Sequence, residues 1–245
     1  MALSPLVPHR AHYGDRAPII EALIDLAFDP EPRVSLEDLR AWGGTPSQVI
    51  TQWEGRFQQE PGDAASMSTT QRTYGFIFRP SSTHALQVRR DGFTFSLLHP
   101  YTHWADLRDR TREAWDRFRP LVGDRPIRRV THRCINRILL PPSPHLPDWF
   151  HVHPTSPPAL GTPGDLLLRL ALTHPERPDL TAHVTLGTLP QEADVAPFLF
   201  DIDVHASAPP ADDDGAWDTL DDLHQFRNDV FFGCLTPATL EGFTS

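Results

Sequence analysis

Two proline-bounded segments with strict two-residue alternation limit what this chain can fold into. In PIIEALIDLAFDP, Pro18 to Pro30, the residues Ile20, Ala22, Ile24, Leu26 and Phe28 fall on one side of an extended chain, with Glu21 and Asp25 on the other. Successive strand side chains point to opposite faces, so this pattern predicts a half-buried strand and argues against a helix, whose apolar positions recur every three or four residues. Pro126 to Leu140 repeats the pattern over a greater length. There Val130, Cys134, Ile138 and Leu140 oppose Arg129, Thr131, Arg133, Ile135 and Arg137. Two polar residues of that strand, His132 and Asn136, fall on the apolar side. They need internal partners, because an unsatisfied buried polar group costs about 1–3 kcal/mol.

The 26 prolines mark most other boundaries. Residues 35–43 predict a helix capped by Ser35 with Asp38 in its first turn, and 46–59 predict a second, with Ser47 near its start and Val49, Ile50, Trp53 and Phe57 as apolar positions. Strands are expected at 72–79, 84–90 and 93–98, with Asp91-Gly92 forming a two-residue hairpin turn. A helix over 102–118 follows, bearing Trp104, Leu107, Ala114, Trp115 and Phe118 on one side and stopped by Pro120. After the long strand come a proline-rich connection, a short helix at 164–173, strands near 180–189 and 197–206, and a helix at 214–232.

The second half thus follows the order of the first. A shift of 113 residues places Trp104 on Trp217, Leu107 on Leu220, Asp109 on Asp222, Asp116 on Asp229 and Phe118 on Phe231. The expected architecture is α+β: one domain over 1–245, built of two pseudo-repeats at about 16–120 and 124–235. It forms a mostly antiparallel sheet of seven or eight strands with long helices packed on one face.

Charge is segregated along the chain. Residues 72–137 hold 14 Arg against 6 Asp and Glu, a net of +8, although the whole chain carries −10; residues 190–245 hold 12 carboxylates and one basic residue, Arg227. Lysine is absent throughout. The acidic total and a pI near 5.6 make nucleic acid an unlikely partner. No segment of Met1–Asp15 has a signal-peptide core, and no run approaches the roughly 20 apolar residues that span a bilayer, so a cytoplasmic location without membrane contact is expected. In that compartment Cys134 and Cys234 are read as buried thiols.

The alternation puts Arg79, Gln87, Arg89, Thr94 and Ser96 on the same face as Arg129, Arg133 and Arg137. A face of guanidinium groups suits an anionic small molecule or an acidic protein surface, because each group can bind carboxylate or phosphate bidentately. Glu21, Asp25, Asp201 and Asp203 share that face and are expected as cross-strand partners in the alternative, an internal salt-bridge lattice. Ligand-binding candidates are therefore Arg79, Arg89, Arg129, Arg133 and Arg137, with His132 and Asn136 behind them.

The segments PIIEALIDLAFDP, DGFTFSLLHPYTHWADLRDRTREAWDRF, THRCINRILLP and LHQFRNDVFFGCLTP together resemble an uncharacterised family of sporadically distributed bacterial proteins of about this length. The resemblance spans nearly the whole chain. It implies a setting such as phage defence or accessory biosynthetic clusters, and it supplies no catalytic residues or substrate.

GxSxG, Walker A, GxGxxG, HExxH and CxxC motifs are all missing, which removes support for hydrolases, P-loop enzymes, dinucleotide-binding enzymes and zincins. No cofactor is expected. His151 and His153, with His145 and Asp148 upstream, offer at most half of a metal site, so no metal is assigned. Tyr101, between His99 and His103, is expected to close a turn by hydrogen bonding to backbone. The first expectation is a non-enzymatic binding or partner protein. The alternatives are an enzyme on a phosphorylated or nucleotide substrate, using Asp201, Asp203, His183 or His205 for acid–base steps, and a salt-sensitive homodimer joining acidic and basic regions.

Overall fold

The computed structural model describes residues 6, 13, 16–30, 32–58, 66–155, 157, 159, 164–207 and 212–243. Within the opening stretch to Asp15, that leaves only Leu6 and Tyr13. The described strands are β1 (Ile19–Phe28), β2 (Gln48–Gln58), β3 (Ser66–Phe78), β4 (His84–Arg89), β5 (Gly92–Leu98), β6 (Ile127–Leu140), β7 (Leu167–Thr173), β8 (Leu180–Thr188) and β9 (Ala196–Ala206). The helices are α1 (Leu36–Gly43), α2 (Trp104–Val122), α3 (Asp213–Cys234) and α4 (Pro237–Glu241). All nine strands join one antiparallel sheet in the order β2-β3-β4-β5-β1-β6-β9-β8-β7.

The two alternating segments meet at the centre of this sheet. Ala22, Ile24 and Leu26 of β1 face Cys134, His132 and Val130 of β6, while Leu23, Asp25 and Ala27 face Arg133, Thr131 and Arg129 on the opposite side. Every second residue is buried as the pattern requires, with one exception. A bulge between Ile19 and Glu21 shifts the register, so Ile19 is buried and Ile20, expected inward, is 38 % exposed.

Helix α2 packs on β1 and β5 through aromatic rings: Phe28 and Phe93 each lie 5.8 Å from Trp115, and Phe93 lies 5.2 Å from Phe118. Helix α3 packs on β6 and β9, with Phe231 against Phe200. Helix α1 seats Trp42 edge-on to Phe78, Phe93 and Phe118. Its start follows the sequence signal, since Ser35 and Asp38 form a reciprocal capping box.

Two expected helices are strands, which is why the count is nine rather than seven or eight. Residues 46–59 include Val49, Ile50 and Thr51, β-branched residues that suit a pleated surface, and β2 pairs along its whole length with β3. Residues 164–173 are leucine-rich and carry high intrinsic helix propensity, yet β7 forms the sheet edge by pairing with β8 from Leu167 to Thr173. Helix α2 also runs past Pro120. It stops at Gly123, whose φ of +72° suits glycine and whose N–H donates to Arg119 O at 2.9 Å. The β4–β5 hairpin is present but shifted by one residue: Arg89 pairs with Gly92, so Arg90 and Asp91 form the turn, and neither has positive φ. A Cβ on Gly92 would meet the Arg89 guanidinium and require that side chain to shift.

Candidate functional site

The polar face of the sheet carries an open cleft of about 390 Å³ across β3, β4, β5, β1, β6 and β9. Arg89, Arg129 and Arg133 line it together with Asp25, Asp91 and Asp203. Strand register brings these charges together: Asp25 lies opposite Thr94 on one side and Thr131 on the other, and Arg133 lies opposite Asp203.

Three of the candidate arginines are held by carboxylates. Arg89 donates to Asp25 Oδ2 at 2.6 Å and to Thr94 Oγ1 at 2.9 Å, and the Thr94 hydroxyl donates to the same Asp25 oxygen at 2.6 Å, closing a three-residue ring. Arg133 donates from Nε and Nη2 to the two oxygens of Asp201 at 2.8 and 2.6 Å, the bidentate fork that guanidinium geometry favours. Arg137 pairs with Glu192, outside the cleft. Arg129 is exposed and, among the described residues, has no carboxylate partner.

Asp203 differs from its neighbours. Arg133 reaches diagonally past it to Asp201, and the Asp203 carboxylate instead lies 3.9 Å from the imidazole nitrogen His205 Nδ1. Burial raises the Asp203 pKa despite the opposing charge of Arg133. Burial also lowers the His205 pKa, against the pull of Asp203. His183 faces Asp203 across β8 and β9, with its ring 5.2 Å from that of His205. A carboxyl inclined to hold its proton thus sits beside an imidazole inclined to give one up. On the far wall the Tyr74 hydroxyl donates to Asp91, and burial, followed by that hydrogen bond and the Asp91 charge, pushes its pKa up to about 12.

The remaining candidates lie elsewhere. His132 and Asn136 are fully buried on the other side of β6, so the sheet separates them from the arginines. His132 Nδ1 donates to Leu23 O at 3.1 Å, and burial, aided by the Arg227 charge, pushes its pKa down to about 3. Asn136 Nδ2 donates to Phe200 O at 2.8 Å. Arg79 follows the last residue of β3 and lines a different cleft, beside α1 and α2, because strand alternation does not extend past Phe78. Tyr101 is buried, and among the described residues it makes no side-chain hydrogen bond of the expected kind. His103 instead caps α2, its Nδ1 accepting from Asp106 N at 3.0 Å. Cys134 and Cys234 are free, buried thiols, and burial raises both pKa values. Among the described residues no three His, Cys, Asp or Glu side chains converge as a metal site. Likewise, no described helix is long and apolar enough to cross a membrane.

Sequence reasoning missed Tyr74 and Asp91. Tyr74 adjoins a register shift between β2 and β3, and Asp91 lies in the hairpin turn, so neither is placed by simple alternation. No family model, curated protein or solved structure matches the chain, and the site is read from its own residues.

Proposed function

We propose that this protein binds an anionic small molecule, a phosphate- or carboxylate-bearing metabolite, in the cleft on the polar sheet face, with Arg129 as its main contact. The observation that carries this reading is the contrast among the arginines of one face: Arg89, Arg133 and Arg137 are engaged by carboxylates, and Arg129 lines the cleft with none among the described residues. An uncommitted guanidinium offers two parallel donors to an incoming oxyanion. Asp203, whose pKa is raised by burial, lines the same cleft. The scaffold is a duplicated unit with its long helices on one side. Strand order supports this, since β3-β4-β5-β1 is mirrored by β7-β8-β9-β6, and so do Leu107 with Leu220 and Phe118 with Phe231, all buried.

Thermal-shift screening with nucleotides, sugar phosphates and di- and tricarboxylates tests the reading. An anion present at about 100 times its Kd stabilises the fold by about 2.7 kcal/mol. Arg129→Gln, at an exposed position, is expected to keep the unliganded Tm and abolish the shift. Failure of every anion to raise Tm, or an equal shift in Arg129→Gln, would sink the proposal.

The contact between Asp203 and His205 favours one second reading, an enzyme using that pair for proton transfer on the bound anion. Asp201 takes no part in that version, because Arg133 occupies both its oxygens. Asp203→Asn would then abolish turnover with binding retained, and loss of binding alone would argue for the simple binder.

A further inference from the structure

A second cleft, of about 360 Å³, opens on the helix side of the sheet between α1, α2 and the β3–β4 connection. Its wall is aromatic and aliphatic, with Trp42, Phe78, Leu86 and Phe95 all contributing. Its charged lining is three guanidinium groups, Arg79, Arg110 and Arg117, against a single carboxylate, Glu113. Arg110 is engaged by Asp106 at 2.6 Å, whereas Arg79 is exposed and has no carboxylate partner among the described residues. Arg117 lies over the Trp42 ring, 5.7 Å from its centroid, and Trp42 Nε1 donates to Arg117 O at 3.1 Å. The aromatic floor is therefore pinned, with positive charge on its rim. The cleft also depends on a missing side chain: a Cβ on Gly43 would lie 2.6 Å from the Phe78 ring.

Cations gathered beside apolar surface with one opposing acid repel one another until an anion joins them, and the apolar wall selects an anion that carries a flat hydrocarbon body. Bare phosphate would leave that wall wet, and a neutral aromatic would leave Arg79 uncompensated. We infer that this cleft is a binding site for a planar aromatic carboxylate, whose ring lies against Trp42, Phe78, Leu86 and Phe95 and whose carboxylate meets Arg79. The site is independent of the sheet-face cleft, because the two share no lining residue.

Isothermal titration of the full chain with 1-naphthoate, and with 1-naphthalenemethanol as its neutral counterpart, tests this. Saturable naphthoate binding is expected. Removing the charge-assisted contact in Arg79→Gln weakens it roughly tenfold, the equivalent of about 1.4 kcal/mol. Glu113→Gln, which removes the opposing charge, tightens it, and Arg129→Gln on the other face leaves it unchanged. The inference is overturned by the lack of saturable naphthoate binding, by equal affinity for the alcohol, or by insensitivity to Arg79→Gln. Loss of naphthoate binding in Arg129→Gln would also overturn it, by placing the anion on the sheet face.

Discussion

Replacing Arg133 with methionine separates a structural lattice from an open binding surface. The substitution keeps most of the aliphatic stem and removes both hydrogen bonds to Asp201. Breaking a fully buried ion pair costs about 3–5 kcal/mol, because the remaining charge loses its partner, whereas an exposed pair contributes about 0–1 kcal/mol. The Asp201 side chain is 12 % exposed, close to the buried limit, while that of Arg133 is 38 % exposed and lies between the limits. A loss of about 2 kcal/mol follows, which for a chain of this size lowers Tm by about 4–8 °C. Asp201→Leu alone is expected to destabilise as well, and the double variant Arg133→Met/Asp201→Leu to recover about 1 kcal/mol or more of the summed loss, since neither charge is then stranded. Arg129→Met is the internal control and is expected within about 0.5 kcal/mol of the parent. Urea melts followed by circular dichroism, with thermal melts beside them, measure all four. If Arg133→Met matches Arg129→Met, or if the double variant equals the sum of the singles, the pair does not hold the sheet and the argument fails.

His132 gives an acid limb to the stability. Its folded pKa, about 3, lies below the ordinary 6.5, so its contribution is complete above pH 6.5 and is lost as pH falls toward 3. His132→Gln is expected to shrink the stability difference between pH 7 and pH 4.5, measured by urea melts. Asp203 has the opposite sign: its raised pKa means stability contributed on protonation and lost as pH rises. Asp203→Asn should therefore raise Tm at pH 7, with the gain fading near the ordinary carboxyl pKa of 3.8; a Tm lowered at pH 7 would contradict the assignment. Gly75→Ala places a Cβ in overlap with the backbone carbonyl of Val88 on the neighbouring strand, which cannot move aside. A loss of about 2 kcal/mol or more in a denaturant melt is expected.

Strong alternation made the sheet's centre legible. β1 and β6 were placed to within a residue or two, and the polar pair His132 and Asn136 was assigned to the buried side. The edges were not legible, because β2 and β7 owe their strand form to one long neighbour each, and pairing of that kind is a tertiary effect that overrides local propensity. The site was legible in part for a related reason. Period two assigns a side chain to a face, and Arg89, Arg129 and Arg133, which it groups, line one cleft; it fails where a strand ends, and Arg79, just past β3, lines another.

Strand ends also explain why, among the described residues, one of the three β6 arginines on this face has no carboxylate partner. Arg129, Arg133 and Arg137 repeat at every fourth residue along β6 and share one face, so each needs a carboxylate delivered by a neighbouring element. β9 supplies Asp201 and Asp203 opposite the middle of β6, and Arg133 takes the diagonal one, a choice open to a long side chain reaching across a sheet. The loop before β9 brings Glu192 to Arg137. At the other end the β6–β9 register starts at Thr131 with His205, and β9 stops one residue later at Ala206; on the β1 side Arg129 meets Ala27. The diagonal acid on β1, Asp25 opposite Thr131, is already held by Arg89 and Thr94. The same diagonal choice by Arg133 leaves Asp203 without a tight cation. The uncommitted guanidinium and the uncommitted carboxyl thus follow from where β9 ends, from the hold of Arg89 on Asp25 and from which diagonal Arg133 takes.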